Sequence, residues 1–586
     1  MQTISRLLGF VRGNWMLFVW AFIAILSATG FGILIPRLLG EGVDTVIGSG
    51  NRGMVVAIAL IIIVAGGLRG ASNYIQRYLN ELVSQRVCYR IRNAMYERFQ
   101  RLSFSFHDRS QTGQLMSRAT QDVEAVRMFF SMGLLGFLQI IAMVVGVYAI
   151  MFSMNVALSL ITMGFVIPIG ILAMTFGRTI RPIWLRVQQG LGFMNTTLEE
   201  SLAGISVVKA FSHERQDSEK FADQANTLYD EQMSAARLLA FNMPTMLMLA
   251  SLPTVAILWY GGNQYFNGLM TIGDITQFIF YTALLMMPIR RLGFLVNLYS
   301  RTISAGQRIF EILDEESEVR EKPGAIELGR VRGEVTFEHV SFSYDSKETA
   351  LQDISFEVKP GQTVALLGRS GSGKSTVANL LGRFYDVTGG RILVDGTDVR
   401  DVTLASLRKN VIAAQQDVFL FSATVRENIA YGAMDATLDQ IIEVARAAYL
   451  HDSIDRLPQK YDTWVGERGD TLSGGEKQRL SIARTLLVNP SILILDDSTA
   501  SVDSQTERLI RQALDRLIKG RTTFIITHRV PIIKNADLIL VLEDGRVAEQ
   551  GTHDELIARG GLYKDVYEEQ LMIHRESIDG MALEES

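Results

Sequence analysis

The chain has 586 residues, 48% of them hydrophobic, a formal net charge of −5 and a single cysteine, Cys88. A mean hydropathy of +0.19 is too apolar for an ordinary soluble enzyme and too polar for a wholly embedded protein, so a membrane half joined to a soluble half is expected. The charge gives no basic excess for nucleic acid, and one cysteine excludes an intrachain disulfide or a multi-cysteine metal site.

Residues 1–300 carry six long apolar runs, near Trp15–Leu38, Met54–Ile75, Phe129–Met154, Val156–Phe176, Leu238–Tyr260 and Ile272–Val296. Each approaches the roughly 20 residues that cross a bilayer. The first is too long for a cleaved signal peptide, and another span follows it directly. Ile4–Val11, ahead of it, has the amphipathic pattern of a surface-lying helix.

Positive charge sets the orientation. The loop after the second run carries Arg77, Arg86, Arg90, Arg92, Arg98, Arg101, Arg109, Arg118 and Arg127. The loop after the fourth carries Arg178, Arg181, Arg186, Lys209, Arg215, Lys220 and Arg237, whereas Gly261–Thr271 has no Lys or Arg. Both termini and both long loops are therefore expected in the cytoplasm. Tyr74–Leu102 and Val187–Met233 read as helices continuing the spans outward, with tips at 106–118 and 204–211 that taken alone could be solvated turns. Arg290 and Arg291, late in the sixth run after Pro288, either snorkel to the interface or meet a substrate. Met243, Met246, Met248, Met286 and Met287 either line an adaptable pocket or fill a helix interface.

Glu315–Gly333, charged and holding Pro323 and several glycines, reads as a linker. Strand-like runs at Glu334–Phe337 and Ser355–Val358 open an α/β domain on a largely parallel sheet, reaching about Leu556. The residues after Leu571 form a polar, acidic tail.

The most informative stretch is Gly368-Arg369-Ser370-Gly371-Ser372-Gly373-Lys374-Ser375-Thr376, which fits G-x-x-x-x-G-K-[ST] between an apolar strand, 363–367, and a helix, 377–384. Its glycines let successive N–H groups curl around phosphate oxygens, and the helix N-terminus adds its positive end. Lys374 can reach the β- and γ-phosphates, and Ser375 can ligate Mg²⁺. A Gly/Ser-rich turn alone would not require Lys-Ser at this offset. Further on, Ile492–Asp496 reads as a buried strand ending in a carboxylate, suited to holding Mg²⁺ through water, with Asp497 at the position of a general base. Leu472-Ser473-Gly474-Gly475-Glu476-Lys477-Gln478 opens a helix on glycines, a second set of phosphate-facing N–H groups. Ile525-Ile526-Thr527-His528 is another strand, ending in a histidine.

Taken in order, these residues resemble an ATP-binding cassette (ABC) exporter subunit over nearly the whole chain. The resemblance identifies Walker A (Gly368–Thr376), the signature (Leu472–Gln478), Walker B ending at Asp496, the D-loop (Ala500-Ser501-Val502-Asp503), the switch histidine His528, the Q-loop Gln416 and the adenine-stacking Tyr344. It implies catalytic roles for Asp497, His528 and Gln416, and metal contacts for Ser375, Gln416 and Asp496. Nucleotide contacts are implied for Tyr344, the whole Walker A loop, Gln416, Ser473, Gly474, Gly475, Glu476 and Asp503. The implied architecture is an all-α six-helix transmembrane domain (1–314) carrying the loop tips as coupling segments. A linker (315–333), a nucleotide-binding domain (334–571) and the tail (572–586) follow. The implied setting is the cell membrane, with ATP and Mg²⁺ as ligands and a second subunit and membrane lipid as partners.

Three residues depart from the pattern: Asp497 where active members carry Glu, Gln415 where Pro is usual, and Trp464 where an acidic residue is usual. Asp is one methylene shorter than Glu, and a misplacement of about 1 Å can cost roughly a hundredfold in rate. In this family each ATP lies between the Walker motifs of one chain and the signature of the other. The resemblance therefore implies a heterodimer in which this chain's own site is weak and its intact signature completes the partner's. A homodimer, an ATP-gated channel and an importer are the alternatives.

Overall fold

In the computed structural model the described residues are 2–48, 52–345, 348–414, 418–496, 504–527 and 533–568. They form two compact units, Met1–Gln100 with Thr112–Glu315, and Arg101–Gln111 with Glu316–Ser586.

The first unit is helical. It comprises α1 (Gln2–Gly9), α2 (Trp15–Gly48), α3 (Arg52–Arg101), α5 (Thr112–Ser117), α6 (Val123–Met128), α7 (Leu134–Met154), α8 (Val156–Ala203), α9 (Ile205–Ala210), α10 (Glu214–Ala256), α11 (Gly262–Phe266) and α12 (Ile272–Asp314). The short α4 (Phe104–Arg109) belongs to the second unit. Helix is the economical answer for apolar runs in lipid, because every backbone group is then satisfied within its own segment. Among the described residues five helices are long and apolar enough to span: Arg12–Gly48, Arg52–Arg101, Thr112–Met154, Val156–Ala203 and Glu214–Phe266. The sixth expected run falls on α12, whose described apolar part, Ile272–Met286, is shorter. The side chains of Arg290 and Arg291 lie outside the described residues. With 50 residues, α3 is about 75 Å long, more than twice the roughly 30 Å hydrocarbon layer, so its arginine-rich end projects well beyond it.

At one end α2 and α12 touch backbone to backbone. A Cβ on Gly40 would lie 2.6 Å from the Gly273 carbonyl, and one on Gly273 would lie 2.3 Å from that of Gly40. Asp44 fastens the crossing by accepting from the Gly273 N–H and the Thr271 hydroxyl, both at 2.7 Å. Small residues allow this approach, as in other membrane helix pairs. Toward the other end the helices are tied by ions. Arg127 meets Glu81 (2.6 Å) and Glu124 (2.7 Å), Arg308 meets Asp122, and Arg118 meets Glu311 (3.1 Å). The amphipathic α1 packs on α12. Leu7 is fully buried, Arg6 grips Asp314 through two 2.6 Å bonds, and its guanidinium lies 3.8 Å from the Phe310 ring centre.

The second unit is built on two sheets. Strands β1 (Val335–Asp345), β2 (Glu348–Val358), β4 (Gly389–Val394) and β5 (Thr397–Asp398) form an antiparallel sheet in the order β2-β1-β4-β5. The six-stranded sheet runs β10-β9-β3-β8-β7-β6, from β3 (Thr363–Leu367), β6 (Val411–Ala414), β7 (Ile492–Asp496), β8 (Thr522–Ile526), β9 (Leu538–Glu543) and β10 (Arg546–Gly551). Its pairs are parallel except β9–β10. Strand alternation splits the core. Ile492 and Ile494 of β7 join the cluster holding Val364, Leu366 and Val377, while Leu493 and Leu495 join that holding Leu472 and Leu480.

The segment read as a linker is fixed to this unit along much of its length. Ile326 donates to the Asp401 carbonyl (2.8 Å), Leu404 N–H to Glu321 (2.7 Å), and buried Arg383 to the Arg320 carbonyl (2.9 Å). The tail after Leu571 lies outside the described residues.

The charge pattern makes a topological prediction. In a Cys88→Ser background, single cysteines at Arg109, Arg118 or Lys209 will react with a membrane-impermeant thiol reagent only from the cytoplasmic side, and cysteines at Asn263 or Asn267 only from the opposite side. Labelling of both groups from one side contradicts the orientation.

Candidate functional site

Parallel strands end at one edge, and that is where the chemistry gathers. Leu366 of β3 and Asp496 of β7 both pair with Ile526 of the intervening β8, so the three lie on one rung near the carboxyl end of the sheet. The phosphate loop leaves β3 one residue later. Crevices at this edge are the usual ligand positions of such sheets.

The loop is left-handed where its glycines fall. Gly368 has φ +147°, Gly371 +83° and Gly373 +102°. A Cβ on Gly368 would lie 2.2 Å from the Leu542 carbonyl, and one on Gly373 2.5 Å from Leu351. Glycine is needed there for space as well as for φ. The turn delivers the chain into α13 (Lys374–Leu381), whose first N–H groups face the loop. Lys374 curls back, its ammonium donating to the carbonyls of Gly368 (2.9 Å) and Arg369 (2.8 Å). Burial lowers its pKa, with the Asp496 carboxylate opposing the shift. The Ser372 hydroxyl is buried without a hydrogen-bond partner among the described residues. The cradle thus holds a cation, converging N–H groups and an unpaired hydroxyl, the donor set a polyphosphate satisfies. Ser375 is exposed at the same helix start and Asp496 half-buried on the neighbouring strand, so these two residues fit a divalent cation beside the phosphates.

Tyr344 ends β1 beside this loop, its hydroxyl 3.1 Å from that of Thr376. Its ring stands T-shaped to Phe342 (4.8 Å) and Tyr385 (5.1 Å) and is half exposed.

The signature segment is built separately. Ser473 caps the helix Gly474–Val488 in a capping box, in which Glu476 accepts from the Ser473 N–H (2.9 Å) and hydroxyl (2.8 Å). Burial alone would raise the Glu476 pKa, but these bonds hold it below the usual carboxylate range. The carboxylate of Glu476 is therefore engaged in the cap. The two glycines differ. A Cβ on Gly475 would lie 2.1 Å from Thr506, whereas one on Gly474 would meet nothing within 4 Å. Gly475 is fixed by packing against the helix Ser504–Ile518, and Gly474 faces open space. Among the described residues no hydrogen bond joins this segment to the phosphate loop. Trp464 is exposed and pairs by an isolated bridge with Thr424. Gln415, Gln416, Asp497, Ala500–Asp503 and His528 lie outside the described residues.

Sequence reasoning passed over one membrane residue. Arg69 lies within the second apolar run, and among the described residues its guanidinium has neither a hydrogen bond nor an ion pair. Its Cζ lies 3.4 Å from the position a Cβ on Gly32 of α2 would take, so that glycine makes room for it. A lone charge in an apolar run was the available signal.

Comparison with known proteins agrees with this geometry. Residues 17–289 match the family model of the ABC transporter transmembrane region, and residues 351–500 that of the ABC transporter domain. The chain is 38% identical to an ATP-dependent lipid A-core flippase of Syntrophus aciditrophicus (strain SB) over 97% of its own length and 95% of the relative's. It is 37% identical to a putative multidrug export ATP-binding/permease protein, YgaD, of Bacillus subtilis (strain 168), over 97% and 99%. The structure of a bacterial Atm1-family ABC exporter with ATP bound superposes with a TM-score of 0.78 at 31% identity, covering 96% of this chain and 98% of that one. The chain belongs to the ABC transporter family, as an exporter-type subunit with a helical transmembrane domain ahead of a nucleotide-binding domain. It is a multi-pass membrane protein whose hydrolysis of ATP is coupled to transport.

Lys374→Ala will weaken ATP binding, because charge-assisted hydrogen bonds to phosphate contribute roughly 1.5–3 kcal/mol, about a tenfold to hundredfold change in Kd. Equal affinities of the variant and parent in a fluorescent-nucleotide titration would remove Lys374 from the site.

Proposed function

We propose that the chain is one subunit of a heterodimeric exporter that moves a hydrophobic or amphipathic substrate across the cell membrane, with its nucleotide-binding domain and both termini in the cytoplasm. ATP would be held at the phosphate loop with Mg²⁺, which when bound would neutralise charge on the phosphate oxygens. Ser375 and Asp496, joined by Gln416, would hold the ion. Lys374 and the loop N–H groups orient the β- and γ-phosphates, and Tyr344 stacks on the base. His528 and Asp503 complete the residues around the γ-phosphate.

The observation that carries the asymmetry is the pairing of a shortened carboxylate, Asp497, with an unimpaired signature. A lost general base costs roughly 10²–10⁴ in rate, so the site on this chain's own Walker motifs binds ATP and turns it over slowly. The signature serves the other site. Its helix N-terminus has Ser473 in a complete cap and an unobstructed Gly474, and it is anchored in a different core cluster from the phosphate loop. A capped N-terminus whose Gly474 has none of the described residues within 4 Å of a Cβ suits a γ-phosphate presented by a second subunit. The amphipathic cargo is supported by the relatives, whose names include a lipid A-core flippase and a putative multidrug exporter, and by Arg69, which lies in an apolar run without a hydrogen bond or ion pair among the described residues.

The two halves of this reading separate in one experiment. Asp497→Asn will leave most steady-state ATPase activity of the purified complex intact, because it removes a carboxylate from a site that is already slow. Gly474→Trp will abolish turnover by keeping the helix N-terminus away from the partner's phosphate; a Cβ at Gly474 meets none of the described residues within 4 Å. An Asp497→Asn complex as inactive as Gly474→Trp would make Asp497 a working base and the homodimer the better reading.

A further inference from the structure

Beside the base-stacking position the second unit contains the tip of the first long loop. Residues 101–111 cluster with the nucleotide-binding domain. Within them α4 presents Phe104 and Asp108, four apart and so on one helix face, to two consecutive residues beyond α13. Phe104 packs on Phe384 with ring centres 4.6 Å apart, and the Tyr385 hydroxyl donates to the Asp108 carboxylate. A second tie lies alongside, where Arg109 pairs with Glu318 at 2.9 Å.

The seat under this loop is buried and closely bonded. Arg383, immediately before Phe384, is 2% exposed and holds a left-handed backbone, φ +47°. It donates to Asp386 (2.8 Å), to the Val399 carbonyl (3.1 Å) and to that of Arg320 (2.9 Å). The guanidinium of Arg408 covers the Phe384 ring from 5.0 Å. Tyr385 itself is buried at 8% exposure. On its other side its ring stands at 86° to Tyr344, 5.1 Å away. With Phe342 on a second side, Tyr344 is clamped by two T-shaped pairs, a geometry that aromatic quadrupoles favour and that fixes the ring plane. The half-exposed ring is left available to stack.

We infer that Tyr385 is a positioning residue that links the base end of the nucleotide site to the first loop: its ring sets the plane of Tyr344, and its hydroxyl holds Asp108. The inference rests on Tyr344 as the base-stacking residue and goes beyond it by assigning the base a signal of its own. A bound adenine immobilises Tyr344 and, through the edge contact, Tyr385, which tightens the hydrogen bond to α4. Phosphates alone engage Lys374 and the loop N–H groups and leave this route unloaded. The triphosphate moiety and the base thus report to different parts of the chain.

Hydrogen exchange on the full assembly in lipid nanodiscs tests this, with Mg²⁺-AMP-PNP and Mg²⁺-tripolyphosphate as saturating probes and peptides covering 103–111 as the readout. AMP-PNP is expected to slow exchange there at least about threefold more than tripolyphosphate does. Tyr385→Phe, which keeps the ring and deletes the hydroxyl, is expected to erase that difference while the AMP-PNP Kd, measured on the same sample, stays within about threefold of the parent. That retained affinity certifies a folded site in the variant. Equal protection by the two probes in the parent, or a difference that survives Tyr385→Phe, overturns the link and leaves the nucleotide site intact. Failure of the parent to bind AMP-PNP overturns both.

Discussion

The whole molecule depends on one turn of backbone, the left-handed curl that takes β3 into α13. Three glycines allow it, and two of them have no room for a Cβ against Leu542 and Leu351. The curl brings Lys374 back over Gly368 and Arg369 and points the first N–H groups of α13 at the same place. An ammonium bonded to two carbonyls near the Asp496 carboxylate, and a buried Ser372 hydroxyl with no partner among the described residues, are costly to keep unless an anion arrives. That imbalance suits the edge of the parallel sheet to a polyphosphate, and Asp496, on the same rung as Leu366, would suit it to a metal.

The rest of the site is divided by the sheet itself. Alternation along β7 sends Ile492 and Ile494 to one core and Leu493 and Leu495 to the other, and the signature helix belongs to the second. Its N-terminus is finished, with Ser473 and Glu476 satisfying each other, and a Cβ at Gly474 would meet none of the described residues within 4 Å. The proposed pairwise assembly would need two half-sites on one chain that do not close on each other. In that reading the affinity of two subunits would depend on nucleotide, which is how ATP would bias a two-state membrane gate.

Most of the architecture was legible in the sequence because its signals are local. Apolar run length gave the long helices, and the order of loop, signature and carboxylate strand gave the nucleotide-binding domain. What sequence left out depends on partners distant along the chain. Nothing in residues 101–111 says that Phe104 meets Phe384 or that Asp108 meets Tyr385, because those partners lie about 280 residues away in sequence. The charged, Pro- and Gly-containing composition of 315–333 reads as a linker and does not say that Glu321 and Ile326 are bonded to 401–404 and Arg320 to Arg383. The segment before the first span had an amphipathic pattern, but that Arg6 would close on Asp314 could not be read from it. Glu476 looks like a ligand within the signature and is occupied as a cap, a role that the S-x-x-E spacing does encode.

The central claim is that this chain holds ATP that it does not readily cleave, while its signature serves a faster site. Single-turnover quench flow on the purified assembly measures this directly: saturate both sites with labelled ATP, remove the excess, start the reaction with Mg²⁺ and follow the bound nucleotide. Two unequal sites predict a fast phase that consumes about half of the bound ATP, with the remainder persisting roughly a hundredfold longer or more. A single phase that consumes all of it at one rate would contradict the account.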